Sequence, residues 1–228
     1  QHYSENKIPK EIIIPENISK PLQEYLEEKK GSKVKTTVPK IGDKKKLLKL
    51  IKKNIKTHYF KGIEKTEILQ TELKLKKLPS VIEAFDVSHL SGTSIAGAMV
   101  QFRDGEPDKT NYRRFKIRSV DKSDDYKAMA EIVRRRYRRL KKENKKFPDL
   151  IMIDGGKSQL NAAVTELRKL DLNIPILSFA KRNQEIFAPG KSKPIKKKKK
   201  NKALLFIKEI IGEAHRFAIK YNRLLRRK

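Results

Sequence analysis

Two short apolar runs, LIMID at 150–154 and IPILSFA at 174–180, are separated by a helix-like stretch, GGKSQLNAAVTELRKL, at 155–170. Strands that read as unbroken apolar runs are buried on both faces, which restricts the chain to an α/β sheet covered by helices. Ahead of them come three strand-like runs, VIEAFDVSH (81–89), SIAGAMVQFRDG (94–105) and KTNYRRFKIRSV (109–120), separated by the turn chemistry of SGT and DGEPD. A long helix follows from Asp124-Asp125, acidic at its start and basic towards its end, as the helix dipole prefers. The last segment, ALLFIKEIIGEAHRFAIKYNRLLRRK, reads as a closing helix. The order predicts an α/β fold: a mixed five-stranded sheet flanked by helices over residues 81–228.

Residues 1–80 read differently. EIIIP and GSKVKTTVP are strand candidates, and ISKPLQEYLEEKK and DKKKLLKLIKKNIKTHYF are helix candidates, the second amphipathic and rich in lysine. They form a basic N-terminal α/β extension. The segment PGKSKPIKKKKKNK (189–202) is of low complexity and cationic, and is expected to be a flexible loop.

Charge narrows the function. Lys+Arg total 57 against Asp+Glu 27, a formal net charge of +30. Such an excess repels itself in a compact state unless a polyanion balances it, and nucleic acid is the first candidate. The bases are spread over several segments rather than along one amphipathic helix, and no apolar stretch suits a membrane span. There are no cysteines, so disulfides and thiolate metal sites are excluded. The opening QHYSENKIPKEIIIP has no initiator Met and no signal-peptide core, so the chain reads as a monomeric fragment of a longer cytoplasmic protein.

Three residues stand out. Asp86 sits inside an apolar run with no basic neighbour, sharing a strand face with Ile82, Ala84 and Ser88. It is either an edge-strand acid bonded to a lysine or arginine, or a ligand. Asp154 closes LIMID, at the carboxyl end of a strand where α/β sheets gather ligands, and could equally cap the following helix. His215 lies at the margin of the apolar stripe Ile207, Ile210, Ile211, Ala214, Ala218, Tyr221 and Leu225, on the side of Asn222. Ser88 and His89 could support the same site, whereas His2 and His58 have unpatterned surroundings. The GGKS at 155–158 is not a phosphate-binding P-loop, because Ile151 stands where that motif needs glycine. Carboxylates from separate strands can hold Mg²⁺ or Mn²⁺ and, with a histidine, point to metal-dependent phosphodiester hydrolysis.

In that order, IEAFDVSH, NYRRFKI, DDYKAM, RRRYRRL, PDLIMIDGGKSQLNAA and EAHRFAI closely resemble the C-terminal endonuclease region of the UvrC family. The similarity is strongest from about residue 81 to 224. The resemblance implies an RNase H-like fold and an Asp-Asp-His site formed by Asp86, Asp154 and His215, with Asp125 of DDYKAM also matching an acid of the family. It implies a Mg²⁺- or Mn²⁺-dependent endodeoxyribonuclease that makes the 5′ incision beside a lesion in double-stranded DNA, working with UvrA- and UvrB-type subunits. Lys157, Lys181, Arg182, Arg134, Arg135 and Arg216 are the expected contacts to DNA phosphates. The family's GIY-YIG domain and helix-hairpin-helix module have no counterpart here. Two departures stand out: Ile211 and Gly212 replace an arginine and an aspartate ahead of EAHRFA, and KKKKKNK replaces a Pro- and Leu-bearing stretch. The alternatives are an RNase H-like module that binds DNA or a repair partner without cutting, and a resolvase or RNA slicer sharing the chemistry but not the six motifs.

Overall fold

A computed structural model describes residues 7–89, 95–117 and 124–226, leaving out the side chains of 55–60, 89, 95, 225 and 226. Backbone contacts divide the chain into two units, Gln1–Phe60 and Lys61–Lys228.

In the first unit, β1 (Glu11–Ile13) pairs parallel with β2 (Lys35–Thr37), and α1 (Lys20–Lys30) lies between them in sequence. Gly31 ends α1 in the left-handed conformation (φ 72°), its N–H closing back on the carbonyls of Glu27 and Glu28. The Glu11 carboxylate accepts from the Lys44 ammonium at 2.7 Å and the Thr37 hydroxyl at 2.5 Å, which holds it below the usual glutamate range. The next helix, α2 (Asp43–Leu73), contains the division between the units.

The second unit is a sheet sandwiched by helices. Its strands are β3 (Val81–His89), β4 (Ile95–Arg103), β5 (Glu106–Pro107), β6 (Arg113–Lys116), β7 (Leu150–Asp154), β8 (Ile176–Ala180) and β9 (Glu185–Phe187). They run in the order β5-β4-β3-β7-β8-β9, with β6 also on β4. The β3–β4, β4–β6 and β8–β9 pairs are antiparallel, while β3–β7 and β7–β8 are parallel. Alternation along β3 sends Ile82 and Ala84 to one face and Phe85 to the other. The first face packs on α5 (Lys202–Arg226) and on Leu69 near the end of α2. The second packs on α3 (Asp125–Lys142) and α4 (Lys157–Lys169). On α5, Leu204, Ile207, Ile210, Ile211 and Ala214 are buried; each large aliphatic contributes roughly 1.5–3 kcal/mol by transfer from water. Among the described residues, no helix is long and apolar enough to cross a membrane.

The structure differs from the sequence expectations in three respects. The sheet has seven strands rather than five, because the two-residue β5 and three-residue β9 are too short to show a period of two. The expected boundary at 80/81 lies inside the second unit, since the last turns of α2 bury Leu69 in its core. Part of 189–202 packs, contrary to its composition. Ile195 bridges to Ile186 and joins the core, and Lys197 pairs with the Glu72 carboxylate.

Candidate metal centre

Strand register brings the two acids together. In the parallel β3–β7 pair the last partners are Phe85 and Ile153, so Asp86 and Asp154 follow one step further on neighbouring strands. Neighbouring strands lie about 4.8 Å apart. Asp86 is buried (4% exposed), on the face covered by α5. From α5, His215 Nδ1 reaches 3.2 Å from Asp86 Oδ2 and 4.0 Å from Asp154 Oδ2. The apolar stripe beside His215 seats the helix, and His215 at its margin is left half-exposed over the strand ends.

One ligand-type atom from each of Asp86, Asp154 and His215 lies within 4.8 Å of the others, and these are the only three such groups brought together among the described residues. Burial and the neighbouring Asp86 charge push the Asp154 carboxyl up to about 7, although the Lys181 ammonium at 2.5 Å pulls the other way. Two carboxylates facing each other with too little positive charge, plus an imidazole, form a donor set suited to a hard divalent cation. Mg²⁺ or Mn²⁺ fits these residues.

The loops explain the placement. Asp154 does not cap α4; Gly156 is the cap, its N–H donating to Gln159 Oε1 at 3.0 Å. Gly155 turns the chain there with φ 153°, and a Cβ at that position would meet the Gln159 side chain at 3.0–3.2 Å. Asp154 is thereby free to face Asp86. At α3 the cap is Asp124, whose carboxylate accepts from the N–H groups of Tyr126 and Lys127. Asp125 occupies the first turn of that helix and lies outside the three-residue cluster.

The remaining expected residues divide by location. Lys181 and Arg182 follow β8 at the same end of the sheet as Asp154, with Lys181 engaged by that carboxylate. Lys157 is exposed at the start of α4. Arg216 is held by Glu213 through two hydrogen bonds of 2.7 and 2.6 Å, and Glu213 also accepts from the Tyr112 hydroxyl. Arg134 and Arg135 sit on α3, over the opposite sheet face; Arg134 is exposed, while Arg135 binds Glu131 and the Lys116 carbonyl. Ser88 accepts from Asn222 Nδ2 at 2.5 Å, a second tie between β3 and α5. The side chains of His58 and His89, and the whole of His2, lie outside the described residues.

Sequence reading missed Arg114. It lies directly across β4 from the site, in the register Asp86–Ala98–Arg114, and stacks on Phe217 and Tyr221 of α5 at 5.1 and 5.5 Å. The signal was present in the alternation of NYRRFKI, but it needs the hairpin register to be seen. Of the two departures ahead of His215, Ile211 is part of the core, and Gly212 is solvent-exposed within an unbroken helix.

Residues 70–219 match the family model of the UvrC RNase H endonuclease domain, and residues 1–61 match the UvrC ribonuclease H-like domain. "UvrABC system protein C" of Methanosarcina mazei is 57% identical over 228 residues, covering all of this chain and 44% of that protein. The same-named proteins of Methanococcus maripaludis and Flavobacterium johnsoniae are 55% and 39% identical, covering 100% and 94% of this chain and 45% and 37% of theirs. The chain thus spans less than half the length of these relatives. Among solved structures, endonuclease V of Ciona intestinalis aligns with 70% of this chain and 95% of its own at 13% identity, TM-score 0.41. With a mixed sheet covered by helices on both faces and family models matching along most of its length, the chain belongs to the UvrC RNase H endonuclease domain family.

Proposed function

We propose that this chain is a divalent-metal-dependent DNA endonuclease that makes the 5′ incision beside a lesion in nucleotide excision repair. The observation that carries the proposal is the convergence of Asp86, Asp154 and His215, from three separate elements, within 4.8 Å. Asp86 and Asp154 would hold Mg²⁺ or Mn²⁺, with His215 completing the donor set. When bound, the ion supplies Lewis-acid polarisation of the phosphate and a more acidic water. The chain's own residues orient the reaction. The Asp86 and Asp154 carboxylates would be held by strand register, and His215, where it does not complete the donor set, would instead protonate the leaving oxygen. Hydrolysis consumes one water: its oxygen bonds to phosphorus, the bond to the leaving oxygen breaks, and that oxygen takes a proton.

Family membership supports DNA as the substrate, and a net charge of +30 supports polyanion binding. Exposed Lys157, Arg182 and Arg134 would position the backbone without reading bases. Of the others expected to touch phosphates, Arg135 and Arg216 would first have to be shared with their glutamate partners. The name of the relatives supports UvrA- and UvrB-type subunits as partners. Asp125, in the first turn of α3, would contribute a further acid, and Asp125→Asn is expected to slow cutting.

A nicking assay on lesion-bearing duplex tests the proposal. It uses the chain alone and the chain replacing the matching region of the Methanosarcina mazei relative with its partner subunits. Cutting that needs Mg²⁺ or Mn²⁺ is expected, lost in Asp86→Ala while DNA binding persists. Binding without cutting under either metal in both settings leaves a non-cleaving DNA- or partner-binding module.

A further inference from the structure

We infer that an aliphatic groove at the starts of β7 and β8, remote from the metal centre, docks an acidic segment of a partner protein through an apolar anchor. The inference goes beyond the nuclease reading, because it concerns a surface that the metal centre does not use.

The groove encloses about 290 Å³, and its floor is aliphatic, formed by Leu75, Ile174, Pro175, Ile186 and Ile195. Leu150 and Ile176, also in its lining, open β7 and β8, whereas Asp154 closes β7. At about 3.3 Å per residue, that strand puts roughly 13 Å between the groove and the metal centre. Lysines surround the floor. Lys191 lines it, and Lys74, Lys76, Lys77 and Lys193 are exposed beside lining residues in the chain. The exposed run 198–200 follows shortly after Ile195. This cationic segment is pinned where it meets the groove, by the bridge of Ile195 to Ile186 and by the pairing of Lys197 with Glu72.

The combination fits a peptide better than DNA. Phosphates gain nothing from an aliphatic floor, and an unpaired base is held by stacking on aromatic rings, whereas the described lining is aliphatic, proline, asparagine and lysine. A leucine or isoleucine side chain seated there would leave water, and Asp or Glu on either side of it would face the lysines. Pro175 and Pro189 stiffen the rim, so little conformational freedom is lost on docking. A second copy of this chain, at +30, would be repelled. A segment bound here leaves the strand ends at the metal centre open to a nucleic acid.

The probe is a fluorescein-labelled synthetic peptide in which Leu-Ile is flanked on both sides by Asp and Glu, with binding followed by fluorescence anisotropy. Its control keeps every acid and replaces Leu-Ile by Ser-Ser. Methyl NMR of the isoleucine-labelled chain locates the contact. The first peptide is expected to bind about 10-fold or more tightly than the control, and to lose about 10-fold or more with Lys191→Glu and Lys193→Glu together. Both lysines are exposed, so the double variant tests charge without touching the core. The methyls of Ile174, Ile186 and Ile195 should shift, and those of Ile82 and Ile210, in the core beneath α5, should not. Equal affinity for both peptides would overturn the inference, since the lysines would then act only as countercharge. So would shifts confined to other isoleucines, or no binding up to about 1 mM peptide. A short DNA duplex is the competing ligand. If it displaces the peptide and moves the same three methyls, the groove is a DNA surface and the inference falls, whatever the outcome of the nicking assay.

Discussion

Asp86 is a buried carboxylate whose Oδ2 lies 3.2 Å from His215 Nδ1. An acid in an apolar strand announces a partner, because an unpaired buried carboxylate is costly. That the partners are His215 and the neighbouring Asp154 depends on which strands are adjacent, which no local pattern encodes. Lys181 illustrates the same limit. Its place after a strand pointed to a phosphate contact, but its ion pair with Asp154 exists only once β7 and β8 lie side by side.

Asp154 yields a pH prediction. Its folded value of about 7 lies above its ordinary 3.8, so between these values the folded, metal-free chain binds more protons than the unfolded one. The stabilisation from this group is therefore complete below about 3.8 and is lost as pH rises through about 7. A bound cation takes the proton's place, so Mn²⁺ affinity should rise towards pH 7 and level off above it. Calorimetric titrations over that range measure this; a flat affinity profile would contradict it. Gly212 gives a second test at this scale. It lies in open space on a helix, so Gly212→Ala should stabilise the chain by about 0.4–1 kcal/mol, seen as a higher denaturant midpoint.

Among the elements, those with clear periodicity or punctuation were readable: β3, β7, β8, α3 and α5 fall close to where the pattern puts them. The short strands β5 and β9 were not, because edge pairing rather than side-chain alternation defines them. Also illegible was the anchoring of α3 on the sheet. Glu83 is buried (1% exposed) and accepts hydrogen bonds from Arg136 and, at 2.9 Å, from the Tyr137 hydroxyl. The two donors are adjacent on the helix, and their acceptor lies some fifty residues earlier. Arg136→Met should cost about 3–5 kcal/mol, since it strands a buried charge, and adding Glu83→Met should recover part of that loss. Urea denaturation of the single and double variants tests this; equal or greater loss in the double variant would show that the pair is not the anchor.

For the molecule as a whole, the charge excess was visible in composition, and its consequence is an electrostatic one. A chain carrying +30 should bind duplex DNA with little regard to sequence. Its affinity should fall by about 10³-fold or more between roughly 50 and 200 mM salt if it contacts six or more phosphates. A salt-independent affinity would place the bases outside the interface. The fold class was legible for a related reason, because the order of strands and helices, read as a series, admits few sheets. The division after Phe60 was not, since α2 runs through it without any break in pattern.

The most direct measurement is anomalous diffraction from a crystal of this chain soaked in Mn²⁺. A peak bounded by the carboxylates of Asp86 and Asp154 and the imidazole of His215 is the expected result, absent from an Asp86→Asn crystal. Manganese found only at other surface acids, with these three side chains unchanged, would contradict the assignment of a metal centre here.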